Sequence, residues 1–346
     1  MSEEFEVSVI IPVYNAKEFV EKAVQSVLEQ NETCEAILVD DGSTDGSYDV
    51  CIELACRYPS VTLVTHEGRA NLGVGAARNL GIERAKFELI AFLDADDFFL
   101  PGRFDADRKV FAINQRVDGV YNALGLHVYS QQYMESYFSD KGELTTLHGI
   151  VPPEELFFVL TGVHSVKGHF SLVGFTVRKH CLMDIGMFNP TLRLHQDTDL
   201  LIRLSANYRL FPGELTKPVA LRGVHTRNRI SQNNNLEETR YALSVSLRHW
   251  AREAELSDLQ SEVLENYCYA YELVKLKKST VCVQALARFW RSPAFFLQSP
   301  FFSKVVRRLL GKNFLAILII RMKGIVQEKL FRIPAKSLRR FWRPCK

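Results

Sequence analysis

The first hundred residues alternate between short apolar runs and segments with helical periodicity. Four β-branched, apolar runs fit buried strands, at residues 7–13, 36–39, 61–64 and 89–93. The segments between them fit helices, at residues 19–28, 48–58 and 73–85. This alternation predicts an α/β fold with a mostly parallel sheet flanked by helices and right-handed crossovers.

The fourth run ends abruptly in acidic residues. Residues 89–93 are all apolar, which is typical of a strand buried on both faces, and Asp94, Asp96 and Asp97 follow at once. Ligands collect at the carboxyl edge of such a sheet. An Asp-x-Asp there can direct oxygens toward Mg²⁺ or Mn²⁺, leaving positions for water and phosphate. By itself, the cluster equally fits a helix cap or a solvated surface.

Composition narrows the class of protein. The chain has 346 residues, 47% of them hydrophobic and 24% charged, which indicates a folded protein with one elaborated domain or two. No Gly-x-Gly-x-x-Gly follows the first run, so dinucleotide binding loses support.

The cysteines and the first residues of the sequence indicate in which cellular compartment the protein is expected. The seven cysteines include no Cys-x-x-Cys pair, and their odd number argues against a complete disulfide framework. The opening MSEEFEVSVIIPVYN fits neither a signal peptide nor a membrane span. We therefore expect a reducing, cytoplasmic setting.

The pattern changes along the chain. We expect one strand at 119–129, a polar stretch at 130–149, and a helix from 152–153 to about 160. From residue 236 onward helical segments dominate through 278. We predict a catalytic domain at 1–231 and a helical, basic C-terminal extension at 232–346.

The C-terminal segment is strongly basic. Residues 286–346 contain 15 Lys or Arg against the single acid Glu328, a net +14, which leaves −11 for the preceding 285 residues. Interleaved Phe and Trp favour an anionic membrane surface, and the apolar run at 314–320 is too short to span a bilayer. We expect peripheral attachment to the cytoplasmic face. The alternative is a packed helical subdomain with solvated basic faces.

The ordered motifs resemble the family 2 glycosyltransferases over about residues 7–231. They are VSVIIPVYN, ILVDDGSTDGS, NLGVGAARNLGIERA, FLDADD, GMFNPTLRLHQDTDLLIRL and RGVHTRNRIS. The resemblance implies the GT-A fold, with a nucleotide-sugar half at about 1–105 and an acceptor half at 106–231. It also implies an inverting, metal-dependent enzyme that moves a sugar from a UDP-sugar to a hydroxyl of a polysaccharide or glycolipid.

Asp41 is the first candidate donor-binding residue. A carboxylate after the second strand can accept a hydrogen bond from uracil N3–H. An Asx-turn in Asp-Asp-Gly-Ser is the alternative, and both readings hold if Asp40 takes the turn.

The resemblance places Tyr14 against the base, with the backbone of Pro12 and Val13 along the base edge. A buried structural aromatic is the alternative for Tyr14. Arg78 is assigned to the diphosphate, to which it supplies charge-assisted donors, and a surface ion pair is its alternative.

The same resemblance assigns a different role to each acid of the FLDADD motif. It assigns Asp94 to the ribose and sugar region and Asp96 to the divalent cation, while Asp97 anchors the turn. His225 is a candidate metal ligand or phosphate contact. A structural histidine in a loop is the alternative for His225.

Asp197 is the candidate catalytic base. It lies in Gln-Asp-Thr-Asp-Leu, where the family usually has Glu-Asp-x-Asp-Leu, so Gln196 departs from the pattern. Asp197 would accept the proton of the attacking hydroxyl in an in-line displacement with inversion. Acids also favour the first turn of a helix, and that explanation suits Asp199 better than Asp197.

Two other function classes compete. A nucleotidyltransferase usually needs a glycine-rich triphosphate loop, which VYNAKEF lacks. A nucleic-acid-binding protein would depend on the tail alone, because the acidic region 1–285 repels phosphate. We expect no nucleic-acid partner.

Overall fold

The computed structural model describes residues 5–31, 33–113, 116–129, 144–225 and 236–272. The strands are β1 (Glu6–Val13), β2 (Thr33–Asp40), β3 (Val61–Thr65), β4 (Leu89–Phe92), β5 (Phe98–Phe99), β6 (Gly119–Tyr121), β7 (Leu124–Val128), β8 (Phe175–Arg178), β9 (Leu210–Pro212) and β10 (Ala220–Val224). The helices are α1 (Val20–Leu28), α2 (Ser47–Arg57), α3 (Val74–Arg84), α4 (Asp105–Ile113), α5 (Pro153–Leu160), α6 (Lys179–Asp184), α7 (Gln196–Asn207), α8 (Leu236–Ala251) and α9 (Asp258–Glu272).

The main sheet has seven strands in the order β3-β2-β1-β4-β8-β6-β9. The four strands expected in the first hundred residues pair in parallel, whereas β8 runs antiparallel between β4 and β6. A smaller sheet has the order β5-β10-β7. The predicted α/β fold with a mostly parallel sheet flanked by helices is confirmed.

Helices cover both faces of the main sheet and form its core. On one face, Val9 and Ile11 of β1 pack in the cluster that contains Val24 of α1. On the other face, Ile10 belongs to the cluster that contains Ile82 of α3. A Cβ on Gly81 would lie 2.4 Å from Cγ2 of Ile10, so the missing side chain lets α3 approach β1 closely.

The single strand expected at 119–129 is wrong. The structure has two strands there, β6 in the main sheet and β7 in the smaller one, separated at Asn122. The buried Asn122 side chain donates to Oδ1 of Asp107 at 2.7 Å and to the Gly174 carbonyl at 3.0 Å. It also accepts from the Glu214 amide at 2.7 Å. These bonds hold the chain where it passes from one sheet to the other.

The chain divides into two compact units, Met1–Glu272 and Leu273–Lys346. In the first unit, α8 contacts α7 and α9 contacts α5. The second unit, with the basic segment 286–346, lies outside the described residues. The boundary near residue 231 therefore stays a prediction. Within the described ranges, no helix combines the length and apolarity needed to cross a bilayer.

Candidate active site

A cavity of about 620 Å³ opens at the carboxyl edge of β1 and β4. Most of the residues selected from the sequence line it together, although they come from widely separated segments. They are Pro12, Tyr14, Arg78, Asp94, Asp96, Asp197 and His225. Val13 and Asp41 are buried beside this edge and are not among the lining residues.

Arg78 joins two carboxylates across the cavity wall. Its Nη2 donates to Oδ1 of Asp94 at 2.7 Å, and its Nη1 donates to Oδ1 of Asp197 at 3.0 Å. The arginine side chain is only 4% exposed, which rules out a surface ion pair, whereas the carboxylates are 40% and 44% exposed. Burial alone would lower the pKa of Arg78, but the two carboxylates raise it above its ordinary value. One guanidinium thus positions α3, the end of β4 and the start of α7.

Asp96 and His225 lie in direct contact. Oδ2 of Asp96 is 2.9 Å from Nε2 of His225, and the imidazole stacks on Phe19 with ring centroids 4.7 Å apart. Burial, followed by the charge of Asp94, raises the pKa of Asp96. A cation would relieve both effects, and carboxylate and imidazole are suitable ligands for Mn²⁺. The donor set therefore fits a divalent cation.

Asp97 has a structural position. It is 4% exposed, and its Oδ1 accepts a hydrogen bond from the Gly223 amide at 2.8 Å. Burial and the neighbouring Asp94 and Asp96 raise the pKa of this carboxyl well above its usual range. A Cβ on Gly223 would lie 2.2 Å from the Asp96 carbonyl oxygen, so β10 can pass the acidic turn closely only because of this glycine.

Asp41 organises the loop that leads into α3. Its carboxylate accepts hydrogen bonds from the Leu72 amide at 2.8 Å and the Gly73 amide at 2.9 Å. The turn bond belongs instead to Asp40, whose Oδ2 accepts from the Ser43 amide at 3.3 Å. Asp40 therefore takes the turn, while a uracil contact by Asp41 stays a prediction.

Tyr14 follows β1 and is 45% exposed on the cavity. This exposure rules out the buried structural aromatic. Nearby, the Val13 carbonyl accepts a hydrogen bond from the Asp41 amide at 2.8 Å, which holds the ends of β1 and β2 together.

The start of α7 separates an exposed acid from a buried one. Asp199 is fully buried, and its carboxylate accepts from Arg203 at 2.6 Å and from the Ser246 hydroxyl at 2.7 Å. Gln196 donates to the Leu192 carbonyl and so fixes the preceding loop. Asp197, by contrast, faces the cavity and can meet an acceptor.

Four basic residues of the cavity wall were not identified from the sequence. They are His169, Arg193, His195 and Arg222. Arg193 is exposed and makes no hydrogen bond or ion pair with other described residues. His195 caps α7 with a left-handed backbone (φ 65°). Arg193 and His195 lie in the motif GMFNPTLRLHQDTDLLIRL just before Asp197, and Arg222 begins RGVHTRNRIS, whereas His169 lies in none of the motifs.

Comparison with known proteins shows which family this chain resembles. Residues 8–120 match the family model described as "Glycosyl transferase family 2". Over these residues the chain is similar to this family. The match covers β1 to the start of β6 and includes Arg78 and the acidic turn, but it ends before Asp197 and His225. The inclusion of those two residues in the site rests on the geometry.

Proteins similar to this chain include an uncharacterized glycosyltransferase of Haemophilus influenzae, 24% identical over 76% of this chain and 83% of the relative. The succinoglycan biosynthesis protein ExoU of Rhizobium meliloti is 32% identical over 58% of this chain and 57% of its own. The minor teichoic acid biosynthesis protein GgaA of Bacillus subtilis is 31% identical over 55% and 41%. The chain thus spans only about half the length of the last two.

Among solved structures, S. aureus TarS 1-349 in complex with UDP-GlcNAc superposes with a TM-score of 0.56 at 18% identity. The match covers 76% of this chain and 71% of the TarS chain. At this identity the similarity shows the GT-A fold alone.

Proposed function

We propose that the protein is an inverting glycosyltransferase that moves a sugar from a UDP-sugar to a hydroxyl of a polysaccharide or glycolipid. The observation that carries this proposal is the Arg78 bridge, which joins Asp94 to Asp197 on the wall of one cavity. A donor-binding acid and a base must flank the same anomeric carbon for an in-line displacement, and this bridge supports such an arrangement.

The donor side consists of Tyr14, the backbone of Pro12 and Val13, Asp41 and Asp94. The exposed ring of Tyr14 can stack on a base, which contributes about 1 kcal/mol. TarS, which shares the fold, was crystallised with UDP and with UDP-GlcNAc, and this supports a UDP-sugar donor. The printed roles of GgaA and ExoU in teichoic acid and succinoglycan biosynthesis support a cell-surface polysaccharide acceptor.

Asp96 and His225 are the proposed ligands of Mg²⁺ or Mn²⁺. When bound, the cation neutralises the charge that develops on the departing nucleoside diphosphate. Asp97 holds the turn in place through the Gly223 amide and is not a proposed ligand.

Asp197 is the proposed general base. As the acceptor oxygen forms its bond to the anomeric carbon, the bond to the diphosphate breaks and the hydroxyl proton passes to the Asp197 carboxylate. Arg78 holds that carboxylate through one oxygen, and the side chain is 44% exposed on the cavity. Attack opposite the leaving group inverts the anomeric configuration.

The location of the enzyme follows from its proposed acceptor. We propose peripheral attachment to the cytoplasmic face of the membrane through the basic segment 286–346, where a lipid-linked acceptor would be met. A transferase with these relatives needs no nucleic-acid partner.

A panel of nucleotide-sugars tests the function. The full chain, stripped of metal, is mixed with UDP-, GDP- and dTDP-sugars with Mn²⁺, with Mg²⁺ or with EDTA, and thermal stabilisation and donor hydrolysis are measured. We expect UDP-sugars to stabilise the chain by about 2.7 kcal/mol at one hundred times Kd, with hydrolysis only when metal is present. Asp96→Asn should lose the metal-dependent hydrolysis. Equal hydrolysis in EDTA would contradict the assignment of a metal ion. Stabilisation and hydrolysis with GDP-sugars alone would contradict the proposal of a UDP-sugar donor.

A further inference from the structure

A cluster of three side chains of metal-ligating types lies at the amino edge of the main sheet. Ligand atoms of Asp118, His180 and Cys181 all lie within 4.8 Å of one another. Asp118 directly precedes β6, and His180 and Cys181 lie in α6 just after the antiparallel β8. Because the candidate active site follows the carboxyl end of β4, the two clusters lie at opposite edges of the sheet.

His180 is oriented as a metal-bound histidine would be. Its Nδ1 is 2.9 Å from Oε1 of Glu88, and its Nε2 is 3.3 Å from Sγ of Cys181. When Nδ1–H donates to Glu88, the lone pair of Nε2 points toward the sulfur. A carboxylate behind the imidazole is the arrangement that fixes the tautomer of histidine ligands in zinc sites.

The spacing of the donor atoms is close to that of a zinc site. Bonds of 2.3 Å to sulfur and about 2.05 Å to nitrogen at a tetrahedral angle require an S···N separation of about 3.6 Å. The observed 3.3 Å requires only a small adjustment. Oδ2 of Asp118 accepts from the Arg209 amide at 2.7 Å, and its other oxygen makes no hydrogen bond with described residues.

The surroundings favour a cation. Three acids, Asp118, Asp184 and Glu88, interact electrostatically with Cys181, against the single basic residue Arg178. A divalent cation would offset the negative charge, and the proton of the thiol would pass to solvent.

The backbone at this edge is already fixed. The Arg178 amide donates to the Asp118 carbonyl at 2.8 Å, and the Lys179 amide donates to the Glu88 carbonyl at 2.7 Å. The donors therefore sit on a sheet edge whose segments are hydrogen-bonded to one another, so little ordering is needed on binding.

We propose that Cys181, His180 and Asp118 bind a zinc-class divalent cation, with water in the fourth position and Glu88 orienting His180. Thiolate and imidazole select Zn²⁺ over Mg²⁺ or Mn²⁺, whereas the oxygen ligands of the other edge suit the harder ions. The bound ion links the segments before β4 and β6 to the corner between β8 and α6. It stabilises the folded chain and takes no part in the transfer reaction.

Cobalt is the probe for this site. The full chain, stripped of metal and held in excess Mg²⁺ to fill the carboxylate site, is titrated with Co²⁺ and then with Zn²⁺. We expect a near-ultraviolet thiolate-to-cobalt absorption band that saturates at one equivalent, disappears on addition of Zn²⁺, and is accompanied by a higher Tm. His180→Gln and Cys181→Ser should abolish the band and the rise in Tm.

Two controls complete the experiment. Cys51→Ser should keep the band, because Cys51 is another fully buried cysteine, but it belongs to no metal-ligand cluster among the described residues. Asp96→Asn should also keep the band while it loses metal-dependent hydrolysis, so this proposal and the proposed function fail separately.

The absence of a band in the unmodified chain would overturn the proposal, as would a band that persists in Cys181→Ser. If Cys181→Ser does not fold, His180→Gln decides, because the His180 side chain is 51% exposed and its replacement leaves the core intact.

Discussion

Two buried arginines in this protein bind carboxylates that differ in their exposure to solvent. Arg103 and its partner Asp107 are both fully buried, with Nη1 of the arginine 2.9 Å from Oδ2 of the acid. Arg78 is almost as buried, but its partners Asp94 and Asp197 are 40% and 44% exposed on the cavity. The network of Arg103 and Asp107 is thus fully buried, and we call it the closed network. The network of Arg78, Asp94 and Asp197 reaches the cavity, and we call it the open network.

The difference separates a structural role from a functional one. Arg103 also donates to the Val173 carbonyl and to the Thr176 hydroxyl, and Asn122 donates to Asp107, so every group in the closed network is paired. Breaking such a network leaves an uncompensated buried charge. The open network keeps two carboxylates accessible to a substrate. We therefore expect changes at Arg103 to lower stability and changes around Arg78 to lower activity.

The largest effect is expected for Asp197→Asn, which removes the proposed base. Turnover should fall about 10²–10⁴-fold, because general base catalysis contributes that much. The free energy of unfolding should change by only about 1 kcal/mol, because Arg78 keeps Asp94 as a partner and only one hydrogen bond is altered. Initial rates and urea denaturation measure the two quantities. Intact turnover with unchanged donor binding would show that Asp197 is not the base.

The closed network should respond in the opposite sense. Asp107→Ala should lower the free energy of unfolding by about 3–5 kcal/mol, because it leaves the Arg103 charge unpaired in the core. Asp105→Ala is the matched control on the same helix, since Asp105 is 50% exposed and pairs with the equally exposed Arg108. That change should cost about 1 kcal/mol or less. Equal effects in urea denaturation would contradict the structural role assigned to the Arg103–Asp107 network.

Much of the fold was predictable because the first four strands and three helices have clear periodicity. The division between β6 and β7 was not, because the partners of Asn122 come from α4 and from residues 174 and 214. The same limit applies to the site. Arg78, Asp94 and Asp197 were each selected from motifs, but their meeting at one guanidinium spans 119 residues of sequence.

The amino-edge cluster was missed for a related reason. Asp118, His180 and Cys181 belong to no spacing pattern, since only the antiparallel pairing of β8 with β6 brings Asp118 beside α6. A contact that depends on strand order leaves no local trace in the sequence.

The test that best separates the two networks makes the same Arg→Lys substitution in each of them. Lysine keeps the charge but cannot bridge two acceptors as a planar guanidinium does, so each Arg→Lys change should lose at least one charge-assisted hydrogen bond. Such a bond is worth about 1.5–3 kcal/mol. For Arg103→Lys we expect that loss in the free energy of unfolding, with turnover of the remaining folded protein unchanged.

For Arg78→Lys we expect the loss in turnover, about 10- to 100-fold at 1.4 kcal/mol for each factor of ten. Its cost in stability should be the smaller of the two, because solvent in the cavity can hydrate Asp94 and Asp197 when the guanidinium is gone. Parallel rate measurements and urea denaturation of both variants separate the roles. If both variants lose the same stability and neither loses turnover, Arg78 only stabilises the cavity wall, and the bridge between Asp94 and Asp197 no longer supports a shared reaction centre.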